Sequence, residues 1–205
     1  MKFGLLLYPG VEPIDLATVG VLSMARRVLT QIEYLTVANK AETVPMSNGL
    51  RVMADVSFAD APQLDVIIVP GGPGWVKACD DKTILDYLSR TAEHAKIVSV
   101  CTGAMILAAA GLLENRRATT KREIVAGEER PLDVLARRVS IEAVEARIVD
   151  DGDIITGGGV SLGHDLTLYL IERFVGEAAA RETARILEYG RAYAANGAEM
   201  TDIGV

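Results

Sequence analysis

The run KIVSVCTGAMILAAAGLL, Lys96 to Leu113, decides how this chain folds. Lys96 to Val100 is β-branched and apolar, the composition of a strand buried on both faces, whereas Gly103 to Leu113 is rich in Ala, Leu and Met and suits a packed helix. Between them there is no room for a loop, so Cys101 must itself make the turn. Ser99 and Gly103 stand two places either side of it. This is the small-x-nucleophile-x-small spacing of a nucleophile elbow, in which a strained backbone lifts one side chain to the edge of a sheet. At a helix N-terminus, unpaired N–H groups and the macrodipole favour thiolate over thiol, so a lowered thiol pKa is expected. Taken alone, a cysteine at such a junction is more often a packing residue. The rest of the chain moves the reading to nucleophile.

Outward from the elbow, strand-like and helix-like runs alternate. Phe3 to Tyr8 reads as a strand, Ile14 to Val28 as a helix and Ile32 to Ala38 as a second strand. Ser47-Asn48-Gly49 marks a hairpin or edge excursion. Asp65 to Val69 reads as a buried strand ending in PGGPG, followed by a helix from Asp81 to Ala95. Arg147 to Thr156 reads as a hairpin around Asp151-Gly152, and helices are expected from Ser161 to Val175 and from Glu177 to Gly190. The charged stretch from Lys121 to Arg147, broken by Gly127 and Pro131, receives no assignment, and the tail 194–205 reads as loose. Strands alternating with helices predict one α/β domain over 1–205, a doubly wound, mostly parallel sheet with helices on both faces. Its reactive centre is expected beyond the carboxyl ends of the strands, where Cys101, Gly71-Gly72 and the loop after Tyr8 all fall.

Half of the 205 residues are hydrophobic, enough for a core that covers both faces of such a sheet. A formal charge of −7 without a basic stripe argues against nucleic acid as partner. No window approaches the length of a membrane span, and MKFGLLLYPG reads as a first strand rather than a signal peptide. Two cysteines, Cys79 in the polar run KACDDK and Cys101 at the turn, do not look like a secreted disulfide framework, so a reducing cytoplasm is the expected home. Two histidines without paired spacing, His94 and His164, give no reason to expect a metal.

Three segments at one sheet edge thus supply a thiol, a glycine pair and a carboxylate. Together YPGVEPIDL, FADAPQLDVIIVPGGPG, VCTGAMILAAAGLL, RRATT and IITGGGVSLGHDLTLYLIE resemble the ThiJ/PfpI superfamily, which is class I glutamine amidotransferase-like. Within it the chain looks closest to the isocyanide hydratases, which carry VCTG at the elbow, an Asp in the first loop and a late TGGG. The resemblance implies a flavodoxin-like α/β/α sandwich, no cofactor, a small-molecule substrate and a homodimer.

It also implies roles. Cys101 would be the nucleophile and Asp15 the acid beside its sulfur, although Asp15 read by itself serves equally as a helix N-cap. The N–H groups of Gly72 and Thr102 would form a site like an oxyanion hole, with Gly71 lining the pocket. Thr102 replaces the His of the protease-like branch, which leaves a Cys-His peptidase without its base. His164 is a possible pocket residue or a core or interface histidine, His94 is expected to face solvent, and Glu12 is read as an exposed loop residue. After RRATT the family commonly continues with His, where this chain has Lys121. The activity implied is hydration of an isocyanide to an N-substituted formamide. A glyoxalase-type conversion of 2-oxoaldehydes, and a non-catalytic redox or ligand sensor using Cys101, stand as alternatives.

Overall fold

Strand β1 (Lys2–Leu6) opens the computed structural model, which describes residues 1–204. A 3-10 turn, Pro13–Leu16, leads into α1 (Ala17–Ala25), and β2 (Glu33–Ala38) follows. The expected hairpin is present as β3 (Thr43–Pro45) and β4 (Arg51–Met53), antiparallel across a turn in which Asn48 has φ 56°. Then come β5 (Val56–Ser57), β6 (Val66–Val69), the short α2 (Trp75–Ala78), α3 (Lys82–Thr91) and β7 (Lys96–Ser99). Helix α4 (Gly103–Ala109) carries the chain from the elbow to β8 (Arg116–Ala118). The charged stretch is irregular up to α5 (Pro131–Ala136), after which β9 (Ile141–Ala143) pairs with β8. The antiparallel pair β10 (Ile148–Asp151) and β11 (Ile154–Gly157) precedes α6 (Gly163–Val175) and α7 (Glu177–Ile186). Last are α8 (Gly190–Glu199) and β12 (Asp202–Ile203).

The main sheet has the order β12-β10-β11-β7-β6-β1-β2-β5 and is parallel except between β10 and β11. Every residue of β6 and β11 is buried, as expected of strands covered on both faces. β1 pairs with β2 on one side and β6 on the other, so the order reverses at β1. In a sheet of this kind the crevice that takes ligands opens beyond the carboxyl ends of the strands flanking that reversal.

Two expectations are corrected. The first helix does not begin as an α-helix at Ile14, because Pro13 starts a tighter 3-10 turn that holds Asp15. Nor is the tail loose: α8 and β12 occupy 190–203, and of the segment only Val205 lies outside the described residues. A buried ion cluster fastens it. Arg147, at the start of β10, donates from Nη1 to Asp165 Oδ1 at 3.1 Å and from Nε to Asp202 Oδ1 at 2.8 Å. Asn196 donates to both Asp165 oxygens at 3.2 and 3.1 Å, and the Tyr189 hydroxyl donates to Oδ2 at 2.8 Å. Asp165 is wholly buried and Arg147 nearly so, and neighbouring partners meet the charge of each.

Removing one member of that pair leaves the other charged and buried. Arg147→Met is expected to lower the unfolding free energy by about 3 kcal/mol in urea titrations, and Asp202→Asn, at a half-exposed position, by about 1 kcal/mol or less. Equal effects of the two substitutions would contradict a buried-charge origin.

Candidate active site

Cys101 has φ 57°, a left-handed conformation that a non-glycine residue adopts at a cost of order 1–3 kcal/mol. Its surroundings hold it there. Its N–H donates to Gly158 O at 3.2 Å and its carbonyl accepts from Thr120 Oγ1 at 2.7 Å, while Val100 N–H reaches Val69 O at 3.1 Å. A Cβ on Gly103 would lie 2.1 Å from Val69 O, so the small residue expected at that flank is demanded by backbone contact. The elbow is therefore clamped between the ends of β6 and β11.

Asp15 comes from the loop beyond β1. It caps no helix: its Oδ2 accepts the N–H of Gly71, beyond β6, at 2.7 Å. Its Oδ1 is buried without a formed hydrogen bond. Cys101 lies close enough to the same carboxyl to favour its ionised form, but no formed hydrogen bond joins the two. Burial pushes the Asp15 carboxyl up to about 7, with Glu12 adding to the rise and the Gly71 amide opposing it. Glu12 is half-buried and close enough for its charge to be felt, not simply an exposed loop residue.

The thiol runs against expectation. Burial, and then the adjacent Asp15 charge, push Cys101 up to about 12. The Thr102 N–H, Lys121 and the Thr102 hydroxyl pull the other way and lose. A seven-residue helix and its N–H groups do not offset burying Cys101, 3% exposed, beside a carboxylate. At neutral pH the resting pair is a thiol beside a carboxyl that is about half ionised, and the two must be treated as one titrating unit.

Gly71 and Thr102 adjoin Cys101 and Gly72 reaches Thr102, in a different arrangement from the two free amides expected. Gly72 N–H donates to Thr102 Oγ1 at 3.0 Å, leaving the threonine hydroxyl and its own N–H directed to Cys101. A Cβ on Gly71 would sit 2.5 Å from Thr102 N and 2.9 Å from Cys101 Cβ, so only glycine fits behind Cys101. His164 is not brought to this centre by its contacts: Nδ1 lies 3.0 Å from Ser161 O and the ring stacks on Tyr189 at 5.1 Å. His94 is exposed, as expected.

Two residues with no assigned role lie near the sulfur. A Cβ placed on Gly159, beyond β11, would lie 3.1 Å from Cys101 Sγ and 3.0 Å from Lys121 Cβ. The stem of Lys121 and the Cys101 sulfur thus flank one space. Its only sequence signal was the replacement of the family's histidine.

The sequence matches the DJ-1/PfpI family over residues 1–173. It is 37% identical over 194 residues to the isonitrile hydratase of Pseudomonas putida, covering 94% of this chain and 80% of that protein. It is 24% identical over 151 residues to the glutathione-independent glyoxalase DJR-1.2 of Caenorhabditis elegans, covering 71% of this chain and 75% of that one. Among solved structures, a ThiJ/PfpI family protein from Pseudomonas syringae superposes with a TM-score of 0.80 at 30% identity, covering 92% of this chain and 74% of that one.

A buried acid whose folded pKa is about 7 penalises folding once it must ionise. Its contribution is intact below the unfolded value of about 3.9 and is lost as pH rises through about 7. Wild type should therefore lose stability relative to Asp15→Asn between pH 4 and pH 8, by an amount of the order of 4 kcal/mol. Denaturant titrations of the two proteins that run parallel across this range would contradict the burial of an ionisable Asp15.

Proposed function

The chain belongs to the DJ-1/PfpI family, and from that membership and the Cys101–Asp15 pair we propose that it hydrates an isocyanide to an N-substituted formamide without a cofactor. The observation that carries the reading is a thiol set against a carboxyl whose pKa is near 7, with threonine rather than histidine following the cysteine. The 37% identity to an isonitrile hydratase supports it.

The isocyanide carbon is both electrophilic and basic, and it needs a nucleophile and a proton at the same atom. Ionised Asp15 takes the proton from the Cys101 thiol through their shared contact. The thiolate, met by the Thr102 N–H and hydroxyl, attacks the terminal carbon and forms the C–S bond. Asp15 returns the proton to that carbon, leaving a thioimidate on Cys101. The carboxylate then takes a proton from a water molecule as its oxygen adds to the thioimidate carbon, and passes it to the substrate nitrogen. Collapse breaks the C–S bond, the sulfur leaves and regains its proton from the new hydroxyl by way of Asp15, and the formamide is released. The sum is isocyanide plus water.

The reactive state carries one proton on the pair. Below about pH 7 Asp15 is protonated and nothing accepts the thiol proton, so kcat/KM for an aryl isocyanide should rise with pH through about 7. Cys101→Ser should abolish formamide production, and Asp15→Asn should lower kcat/KM by roughly 10²–10⁴-fold and remove the limb. Inert wild type, or full activity of either variant, contradicts the reading. Conversion of methylglyoxal to lactate by a wild type inert to isocyanides assigns the site to the glyoxalase alternative.

A further inference from the structure

Lys121 is the cation whose charge reaches the nucleophile, and it is not free. Its Cβ and Cγ face the space that Gly159 leaves open, 3.0 and 3.1 Å from where a Cβ would stand, and Cys101 Sγ borders the same space at 3.1 Å. Its ammonium lies 3.4 Å from Glu128 Oε2. The Val125 N–H donates to that same oxygen at 3.3 Å. An ammonium and an amide thus converge on one carboxylate oxygen, at the end of a lysine whose stem borders the same space as the sulfur, and this is the donor set of a carboxylate receptor, filled by a side chain of the chain itself.

The plug is weakly held. Both contacts are long, and the Lys121 and Glu128 side chains are 23% and 51% exposed, so exchanging Glu128 for another carboxylate costs little. Ile124 and Val125, both exposed, supply apolar surface along the same segment for the body of a small molecule. The carboxyl of Asp15 adjoins the sulfur, Glu12 adjoins Asp15, and the protein as a whole carries −7, so an anionic substrate needs a local cation to be admitted.

We propose that this site takes substrates carrying a carboxylate near the reacting carbon, bound by the Lys121 ammonium and the Val125 N–H in place of Glu128. The proposal rests on Cys101 as nucleophile and deepens the functional reading by naming a substrate class, isocyanides bearing a carboxylate.

Iodoacetate and iodoacetamide test it with probes of nearly equal size, one anionic and one neutral. Each is attacked at its methylene carbon by the Cys101 thiolate with loss of iodide. The ratio of the two alkylation rates at Cys101, read by peptide mass spectrometry, cancels the thiolate population, so it reports recognition of charge. Lys121→Met should lower the iodoacetate-to-iodoacetamide ratio roughly fivefold, Lys121→Arg should keep it, and Glu128→Gln should raise it. An unchanged ratio in Lys121→Met, or a Cys101 that reacts with neither reagent, overturns the proposal. Turnover of isocyanoacetate and its methyl ester is then compared. If the ratio responds as expected and neither isocyanide is hydrated, the carboxylate site stands and the hydratase reading falls.

Discussion

Two acids, a carboxyl and a thiol, are buried against each other in this protein, and the rest of the site follows from the cost of ionising either. Water is nearly excluded from both, so each charge is met only by what the fold supplies: one amide of Gly71 for Asp15, and the Thr102 donors with the more distant Lys121 for Cys101. This supply is too small to ionise both groups at neutral pH. The resting thiol therefore keeps its proton, with the carboxylate beside it as the base that can take it. That suits a reaction in which the same proton leaves the nucleophile and arrives at the carbon it attacks.

The fold makes the contact by bringing together segments far apart in sequence. Asp15 follows β1, Gly71 follows β6, Cys101 follows β7 and Gly159 follows β11. They meet because those strands are neighbours with their carboxyl ends at one edge. The strained backbone of Cys101 is tolerated since it is bonded on both sides, by Gly158 and Thr120. The backbone also bears on Gly158 from another direction: Gly158 N–H donates to Arg147 O at 2.9 Å, and Arg147 is the residue that docks the C-terminal segment. The tail and the elbow thus share a support.

What was legible in the sequence was what local chemistry decides. The strand–turn–helix contrast around Cys101, the buried runs of β6 and β7, the Asn48-Gly49 turn and the hairpin at Gly152 depend on residues within a few positions of each other. Asp15 was visible as a candidate, but whether it capped a helix or faced the thiol depended on β1 lying beside β6, which no spacing encodes. The direction of the thiol shift is set by a balance of the same kind: a helix N-terminus and a neighbouring Asp can be read from the sequence, whereas the depth of burial that decides between them cannot. The Gly72 amide was rightly placed near Thr102, yet its partner, a side-chain hydroxyl, depended on a rotamer. Lys121 stood in an irregular charged segment without periodicity, so its approach to the sulfur had no signature beyond its place where relatives carry histidine. Helix α8, with its small and polar residues, has little apolar stripe, and it is fixed by Asn196 and by contacts reaching Arg147 and Asp165.

The carboxyl of Asp15 is the group on which this account turns, and it can be observed directly. A ¹³C NMR titration of the side-chain carboxyl in aspartate-labelled protein, assigned by the loss of one resonance in Asp15→Asn, should give a midpoint near 7. Burial is the largest cause of the shift, so the midpoint should stay well above the ordinary carboxylate range in Cys101→Ser as well. A midpoint near the unperturbed value of about 4 in both proteins would mean that the acid is solvated, and the shared-proton account of this site would be wrong.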